Sequence, residues 1–365
     1  MTSGADQDLR WLDAAVRMAR PWLGTTAENP TVGALVVDPQ RQILLGRAAT
    51  ASGGRPHAET QALAQAGAAA AGATLYVTLE PCNHWGRTPP CSDAVVRAGI
   101  ARVVVGITDP DPRTAGRGIA RLKQAGIAVD VRDHEPSRRL HEGHISRKQR
   151  QRPFVTLKLA VSADGMIGRL GAPNVAITGP VAQRWTHMQR ALSDGVMVGA
   201  RTARIDDPRL TVRLPGLEDR RPLRIVLAGI EPLPPALNLF SRNSDQPTLI
   251  IAQNSAQPAW PEHVSVASLP ARGSTPALLQ ALEVLSSRGI AKLLVEGGAR
   301  VADALMGSGL ADRIHLLSSD LTVGEGGVAA PGGTRLPAVI AAAGFVEVDR
   351  RALGDDMLRT FEKGA

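Results

Sequence analysis

The chain is poor in aromatic residues, which make up 3% of its 365 positions. Nucleic-acid binding that works by stacking bases on ring platforms would therefore have to be built from very few rings. Only two cysteines are present, Cys82 and Cys91, so a secreted scaffold held by several disulfides is excluded. No run of about 18 uncharged apolar residues occurs, and the first twenty residues are polar and then amphipathic, without the continuous apolar centre of a signal peptide. The expectations are no membrane partner and a cytoplasmic location. Acidic residues are outnumbered, 34 against 42 Lys plus Arg, and the resulting +8 biases the surface toward anionic ligands such as phosphates. Hydrophobic residues, at 44%, suffice for buried cores, and the length favours two domains.

Leu9, Leu12, Val16 and Ala19 recur at helical spacing and predict an opening helix that ends before Pro21. Strands are expected at residues 31–37, 73–78, 102–105 and 127–131. They alternate with helices at 58–71, 92–98 and 119–125, which describes an α/β sandwich with a largely parallel sheet. The highly charged stretch 132–152 breaks the pattern and reads as a partly helical, solvated connector. The domain boundary falls inside it, giving domains 1–145 and 146–365. Beyond it, strands at 153–161, 224–228, 248–252 and 292–295, with helices at 181–192 and 278–287, predict a second α/β domain. Residues 219–270, rich in Pro and Ser, are expected to hold surface loops around its strands.

Both cysteines fall in one cluster with His57 and Glu59. Imidazole and two thiolates suit zinc, and three protein ligands leave a fourth position for water, as in a catalytic site. Prolines precede the predicted helices at His57 and Cys91, so both helix starts would aim at the metal. Residues two apart do not share a helix face, so His57 and Glu59 converge only if the helix end forms the pocket. The pattern is a variant of H-x-E followed by P-C-x-x-C, the signature of zinc nucleobase deaminases, with eight residues (NHWGRTPP) between the cysteines. His84, inside that insert, is open to two readings, a substrate contact or a loop cap. A structural zinc module would need a fourth ligand, for which only a histidine is available.

The motifs ENPTVGALVV (28–37), PHAE (56–59), TLEPCNHWGRTPPC (78–91) and DPDPRTAGRGI (109–119) resemble those of the bifunctional riboflavin-biosynthesis enzymes. That family deaminates a diaminopyrimidine ribosyl phosphate and then reduces its ribose. The resemblance continues through TLKLAVSADGMI (156–167), GARTARIDDPRLTVR (199–213) and VEGGARVADAL (295–305). It implies a cytidine-deaminase-like α/β/α sandwich followed by a dihydrofolate-reductase-like α/β domain. Its implied cofactors are Zn2+, held by His57, Cys82 and Cys91, and NADPH; Glu59 would be the catalytic proton carrier.

The same resemblance places Asn29 in the pyrimidine pocket, and Asn174, Arg190, Leu210, Arg213 and Glu296 at the substrate of the reductase. NADPH would meet Ala160, Thr202, Asp206 and the run Gly298, Ala299, Arg300, Val301, Ala302, Asp303 and Ala304. Two positions depart from the family pattern: Ala176, where an aromatic is usual, and Met166, where a basic residue is usual. The expected partners are a small-molecule substrate and further copies of the chain. A nucleic-acid base deaminase, which the zinc motif and the basic balance would also allow, is disfavoured by the scarcity of aromatics.

Overall fold

The computed structural model describes residues 4–171, 175–228, 233–241, 246–252, 264–269 and 277–364. The chain divides into two compact units, Met1–Gln151 and Arg152–Ala365. The division falls at the end of the charged stretch, six residues beyond the expected boundary.

The first unit runs α1 (Gly4–Ala19), β1 (Gly33–Asp38), β2 (Ile43–Ala49), α2 (Ala58–Ala66), β3 (Thr74–Leu79), α3 (Cys91–Arg97), β4 (Arg102–Ile107), α4 (Arg117–Gln124), β5 (Ala128–Val131), α5 (Glu135–Leu140) and α6 (Glu142–Arg150). Its sheet has the order β2-β1-β3-β4-β5. Pairing is antiparallel between β1 and each of β2 and β3, and parallel from β3 through β4 to β5, so the sheet is mixed rather than largely parallel. The strand missing from the sequence reading is β2. It lies at the sheet edge, and its Ile43 and Leu44 are exposed, which removes the apolar alternation that would have announced it.

Side-chain alternation places the core on both faces of this sheet. Ala34, Val36, Leu75, Val77, Val103 and Val105 pack toward one face with Ala62 and Leu63 of α2. Leu35, Val37, Tyr76 and Val104 pack toward the other with Leu12 and Ala15 of α1. Gly33 is required by this arrangement, because a Cβ there would come within 2.1 Å of the Ala15 carbonyl oxygen. Asp8, buried on α1, ties the helix to the strands by pairing with Arg102 (2.7 Å) and Arg132 and by accepting the Tyr76 hydroxyl (3.1 Å). The charged stretch is helical, but it is not simply a solvated face: Ser137, His141, His144 and Ser146 are buried.

The second unit comprises β6 (Phe154–Val161), β7 (Met166–Arg169), α7 (Pro180–Ala191), β8 (Gly195–Gly199), α8 (Ala200–Asp206), β9 (Leu223–Leu227), β10 (Thr248–Ala252), β11 (Val264–Ser268), α9 (Ala277–Ser287), β12 (Lys292–Val295), α10 (Ala299–Gly307), β13 (Arg313–Ser318), β14 (Gly327–Ala329), α11 (Leu336–Ala342), β15 (Phe345–Leu353) and β16 (Asp356–Lys363). The large sheet has the order β11-β10-β9-β8-β12-β6-β13-β16-β15, parallel as far as β13 and antiparallel in its last two pairings. Within β6, Val155, Leu157, Leu159 and Val161 alternate into a core shared with Leu293, Val295, Leu282 and Leu305. On the opposite face Val196, Val198, Val226, Ile250 and Leu294 pack with Leu210 and Phe240. The strands β6, β8 and β12 become neighbours although they start near residues 154, 195 and 292.

Candidate active sites

In the first unit the chemistry collects where β3 and the helix starts meet. His57 is the N-cap of α2, and Glu59 stands in that helix's first turn. Cys82 follows β3 by three residues, and Cys91 opens α3 behind Pro90. The ligand atoms of His57, Cys82 and Cys91 lie within 4.8 Å of one another. His57 Nδ1 is 3.2 Å from Cys91 Sγ and 3.7 Å from Cys82 Sγ, while the Cys91 backbone N–H donates to Cys82 Sγ at 3.3 Å. The two residues of the H-x-E pair meet the metal pocket through the end of the helix, not its side.

The charges of this cluster fit a divalent cation. The Cys82 thiol is pulled down to about 4, first by the Cys91 thiol donating to it and also by His57. Cys91 is pushed up by that same partner and by burial. One thiolate forms readily and the second is held back by the first, a conflict that a dication placed between them resolves. His57 is raised by its bond to Cys82. Glu59, 3% exposed, is raised by burial, and its Oε2 has no hydrogen-bond partner among the described residues.

Asn29 lies against Gly54 so closely that a Cβ there would meet its side-chain nitrogen at 2.2 Å, which sets Asn29 beside the loop leading to His57. His84 Nδ1 is 3.5 Å from Thr114 Oγ1, and Trp85 is 76% exposed. Sequence reasoning missed Glu80. This buried carboxylate accepts the backbone N–H groups of Asp109 (3.2 Å), Gly116 (3.0 Å) and Ile119 (3.1 Å). A carboxylate set between an apolar strand and Pro81-Cys82 was the available signal.

In the second unit a cavity of about 1110 Å³ opens at the carboxyl ends of parallel strands, the usual ligand position of such sheets. Its wall includes Ala160, Thr202, Asp206, Gly298, Ala299, Arg300 and Val301, together with Arg190, Leu210 and Glu296. Ala302, Asp303 and Ala304 do not line it. The turn of α10 directs Ala302 into the core and leaves the other two exposed. Asn174 lies outside the described residues. Ala176 is exposed and away from the cavity wall, whereas Met166 packs beside Gly327.

Glycines shape this cavity. Gly199 and Gly298 are the extended N-caps of α8 and α10. A Cβ on Gly199 would meet Val301 at 2.8 Å, and one on Gly298 would meet Thr202 Oγ1 at 3.0 Å. The two helix starts therefore approach with their amides at the cavity, flanked by Arg201 and Arg300.

Arg190 and Glu296 form a two-bond ion pair (2.5 and 2.8 Å) that is largely buried, and Arg190 also donates to the Thr211 carbonyl at 2.9 Å. Lys158, which sequence reasoning passed over, lines the same wall and is depressed by burial despite the opposing field of Glu296. Its signal was a lone charge in an apolar strand. A smaller adjoining pocket, about 350 Å³, gathers Arg190, Arg209 and Arg213. Burial and the two neighbouring guanidinium groups hold Arg213 below its ordinary value.

The first unit thus has the layout of zinc-dependent deaminases, and the second that of an α/β domain with a ligand-sized cavity at its strand ends. The profile of the cytidine and deoxycytidylate deaminase zinc-binding region matches residues 5–107, and that of the RibD C-terminal domain matches residues 153–356. The chain belongs to the RibD family, the bifunctional deaminase and reductase proteins of riboflavin biosynthesis.

It is 39% identical to the riboflavin biosynthesis protein RibD of Aquifex aeolicus (strain VF5) over 321 residues, 87% of this chain and 88% of that one. Identity to RibD of Escherichia coli (strain K12) is 35%, over 86% of this chain and 89% of the relative. Among solved structures, Acinetobacter baumannii RibD aligns with a TM-score of 0.86 at 31% identity, covering 99% of this chain and 100% of the other. A diaminohydroxyphosphoribosylaminopyrimidine deaminase/5-amino-6-(5-phosphoribosylamino)uracil reductase from Thermotoga maritima aligns with a TM-score of 0.84 at 29% identity, covering 99% of both chains. No helix among the described residues is long and apolar enough to cross a membrane.

Proposed function

We propose that the first unit hydrolyses the 2-amino group of 2,5-diamino-6-(5-phosphoribosylamino)pyrimidin-4-one, and that the second reduces the ribosyl group of the product with NADPH. The observation that carries the first half is the convergence of His57, Cys82 and Cys91 beside the buried carboxylate of Glu59, to which the Cys91 thiol donates. Those three side chains would hold zinc, whose Lewis acidity makes water a nucleophile at neutral pH. Glu59 would accept the proton that this water loses and hand protons to the departing amine. Its raised affinity for a proton, caused by burial, suits both directions of that transfer. Asn29, able to donate and accept at once, would read the pyrimidine edge.

In the second unit the amides at Gly199 and Gly298 and the guanidinium groups of Arg201 and Arg300 would take the cofactor's phosphates. NADPH supplies the hydride. Arg209 and Arg213, crowded with Arg190 around the smaller pocket, form a cationic seat for the substrate phosphate. Lys158 would exchange the proton that ring opening of the ribose requires, its ammonium made more acidic by burial. We further infer a cytoplasmic enzyme that assembles with copies of itself, a state that sedimentation at defined concentrations tests.

The direct experiment supplies zinc-loaded protein with the diaminopyrimidine ribosyl phosphate and records ammonia release and NADPH oxidation together. Both signals support the full reading. Ammonia without NADPH oxidation leaves only the deaminase, and the absence of both signals refutes the substrate.

A further inference from the structure

The loop that follows β4 is gripped from two directions. On its inner side Glu80 takes the loop amides of Asp109 and Gly116 and the Ile119 amide in the first turn of α4, as described above. Gly118 lies so near the Pro81 carbonyl oxygen that a Cβ would approach it to 2.0 Å, and Thr114 reaches His84. The loop thus runs along the Glu80-to-His84 segment, which carries Cys82. On its outer side stands α6. His144 Nε2–H donates to Asp109 Oδ1 at 2.9 Å, and Lys148 Nζ donates to Asp111 Oδ2 at 2.8 Å.

His144 and Lys148 are four residues apart, hence on one helical face. Asp109 and Asp111 are linked in turn, because Asp109 Oδ1 also accepts the Asp111 backbone N–H at 2.9 Å. Arg113 completes the coordination of Asp111 at 2.6 Å. The side chains of His144, Asp109 and Asp111 are each less than one-tenth exposed. Groups buried this deeply cost stability unless paired, and their pairing fixes one register of loop against helix.

We propose that His144 and Lys148 are positioning residues for deamination. Acting through Asp109 and Asp111, they hold the loop against the Cys82 segment and so fix the wall of the zinc pocket without touching the reacting atoms. This rests on the deaminase reading above. It assigns a catalytic consequence to a helix that the sequence presents as a charged connector.

The test compares His144→Leu, which removes the donor, with His144→Gln, which keeps an N–H, and adds Lys148→Ala as a milder change on a partly exposed side chain. Zinc content, steady-state deamination, and NADPH oxidation with the deaminated intermediate are measured on the full chain. His144→Leu is expected to lower kcat/KM for deamination about tenfold, since small misplacements at a distance weaken catalysis. Zinc content and the reductase rate stay unchanged, and His144→Gln recovers most of the loss. Lys148→Ala is expected to cost about threefold, and the double variant less than the product of the two, because both act on one loop.

Deamination unchanged in both His144→Leu and Lys148→Ala overturns the proposal. So does a loss that tracks zinc content, or one that His144→Gln does not relieve, since either would mean simple packing. Absence of ammonia release by the unaltered protein would instead overturn the deaminase reading itself.

Discussion

The two sites are built on opposite plans. The first concentrates its chemistry in three ligand atoms within 4.8 Å of one another, drawn from residues 57 to 91. The second spreads its wall from Lys158 to Val328 around about 1110 Å³, and glycines that admit a close approach contribute as much as any charged side chain. A compact cage needs particular side chains at particular helix ends, whereas a large open cavity needs strand ends brought level and backbone left bare. The two plans predict different vulnerabilities: single atoms decide the first, and shape and buried charge decide the second.

The sharpest way to separate them is to remove the metal. Incubation with a chelator should abolish ammonia release while NADPH oxidation with the deaminated intermediate persists; parallel loss of both would mean that the sites are not independent. Glu59→Gln comes next. Deamination should fall by about 10²- to 10⁴-fold, the range for loss of a general acid–base, with zinc stoichiometry retained. Substantial residual turnover would move the proton role to another group.

This contrast also explains what the sequence reveals. The convergence of His57, Cys82 and Cys91 is legible because a metal cage demands those residue types at short spacing, and the structure brings their ligand atoms together. The reductase wall is not legible in that way. Gly199, Gly298 and Lys158 come from distant segments that meet only because β8, β12 and β6 are adjacent in the sheet. Ala302 illustrates the limit of carrying a motif over as a continuous run, since the helical turn buries it while Val301 faces the cavity. In the first unit, β2 escaped notice because its edge position leaves Ile43 and Leu44 in water. The buried histidines at the start of α6, its N-cap His141 and His144 within it, escaped because their polarity suggested a surface.

The buried ion pair of the second unit offers the next largest effect. Glu296→Gln would leave the Arg190 guanidinium enclosed with no countercharge, and breaking such a pair costs about 3–5 kcal/mol. Denaturant unfolding followed by probes placed in each unit should show the second unit's midpoint falling and the first unit's unmoved. Equal midpoints before and after the change would show that Arg190 finds another partner or water, and the cavity would then be more plastic than the contrast supposes.

The smallest effect belongs to pH and tests whether the first unit also depends on buried polar groups away from its metal. His141 is enclosed beneath β3, with Nε2 3.0 Å from Thr78 Oγ1, the same hydroxyl that accepts the Gly33 N–H. Burial, and to a lesser degree the neighbouring His144, push it down to about 3. Because its folded value lies below the unfolded value near 6.5, the neutral ring contributes stability that is fully present above pH 6.5. That contribution is lost progressively as pH falls from there toward 3. One proton taken up on unfolding changes stability by about 1.4 kcal/mol per pH unit across that window. His141→Gln, which keeps a polar group at the site but does not titrate, should unfold with a correspondingly shallower pH dependence between pH 6 and 4. Equal slopes for the variant and the unaltered protein would show that His141 is protonated in the folded state, and that the acid sensitivity of this unit arises elsewhere.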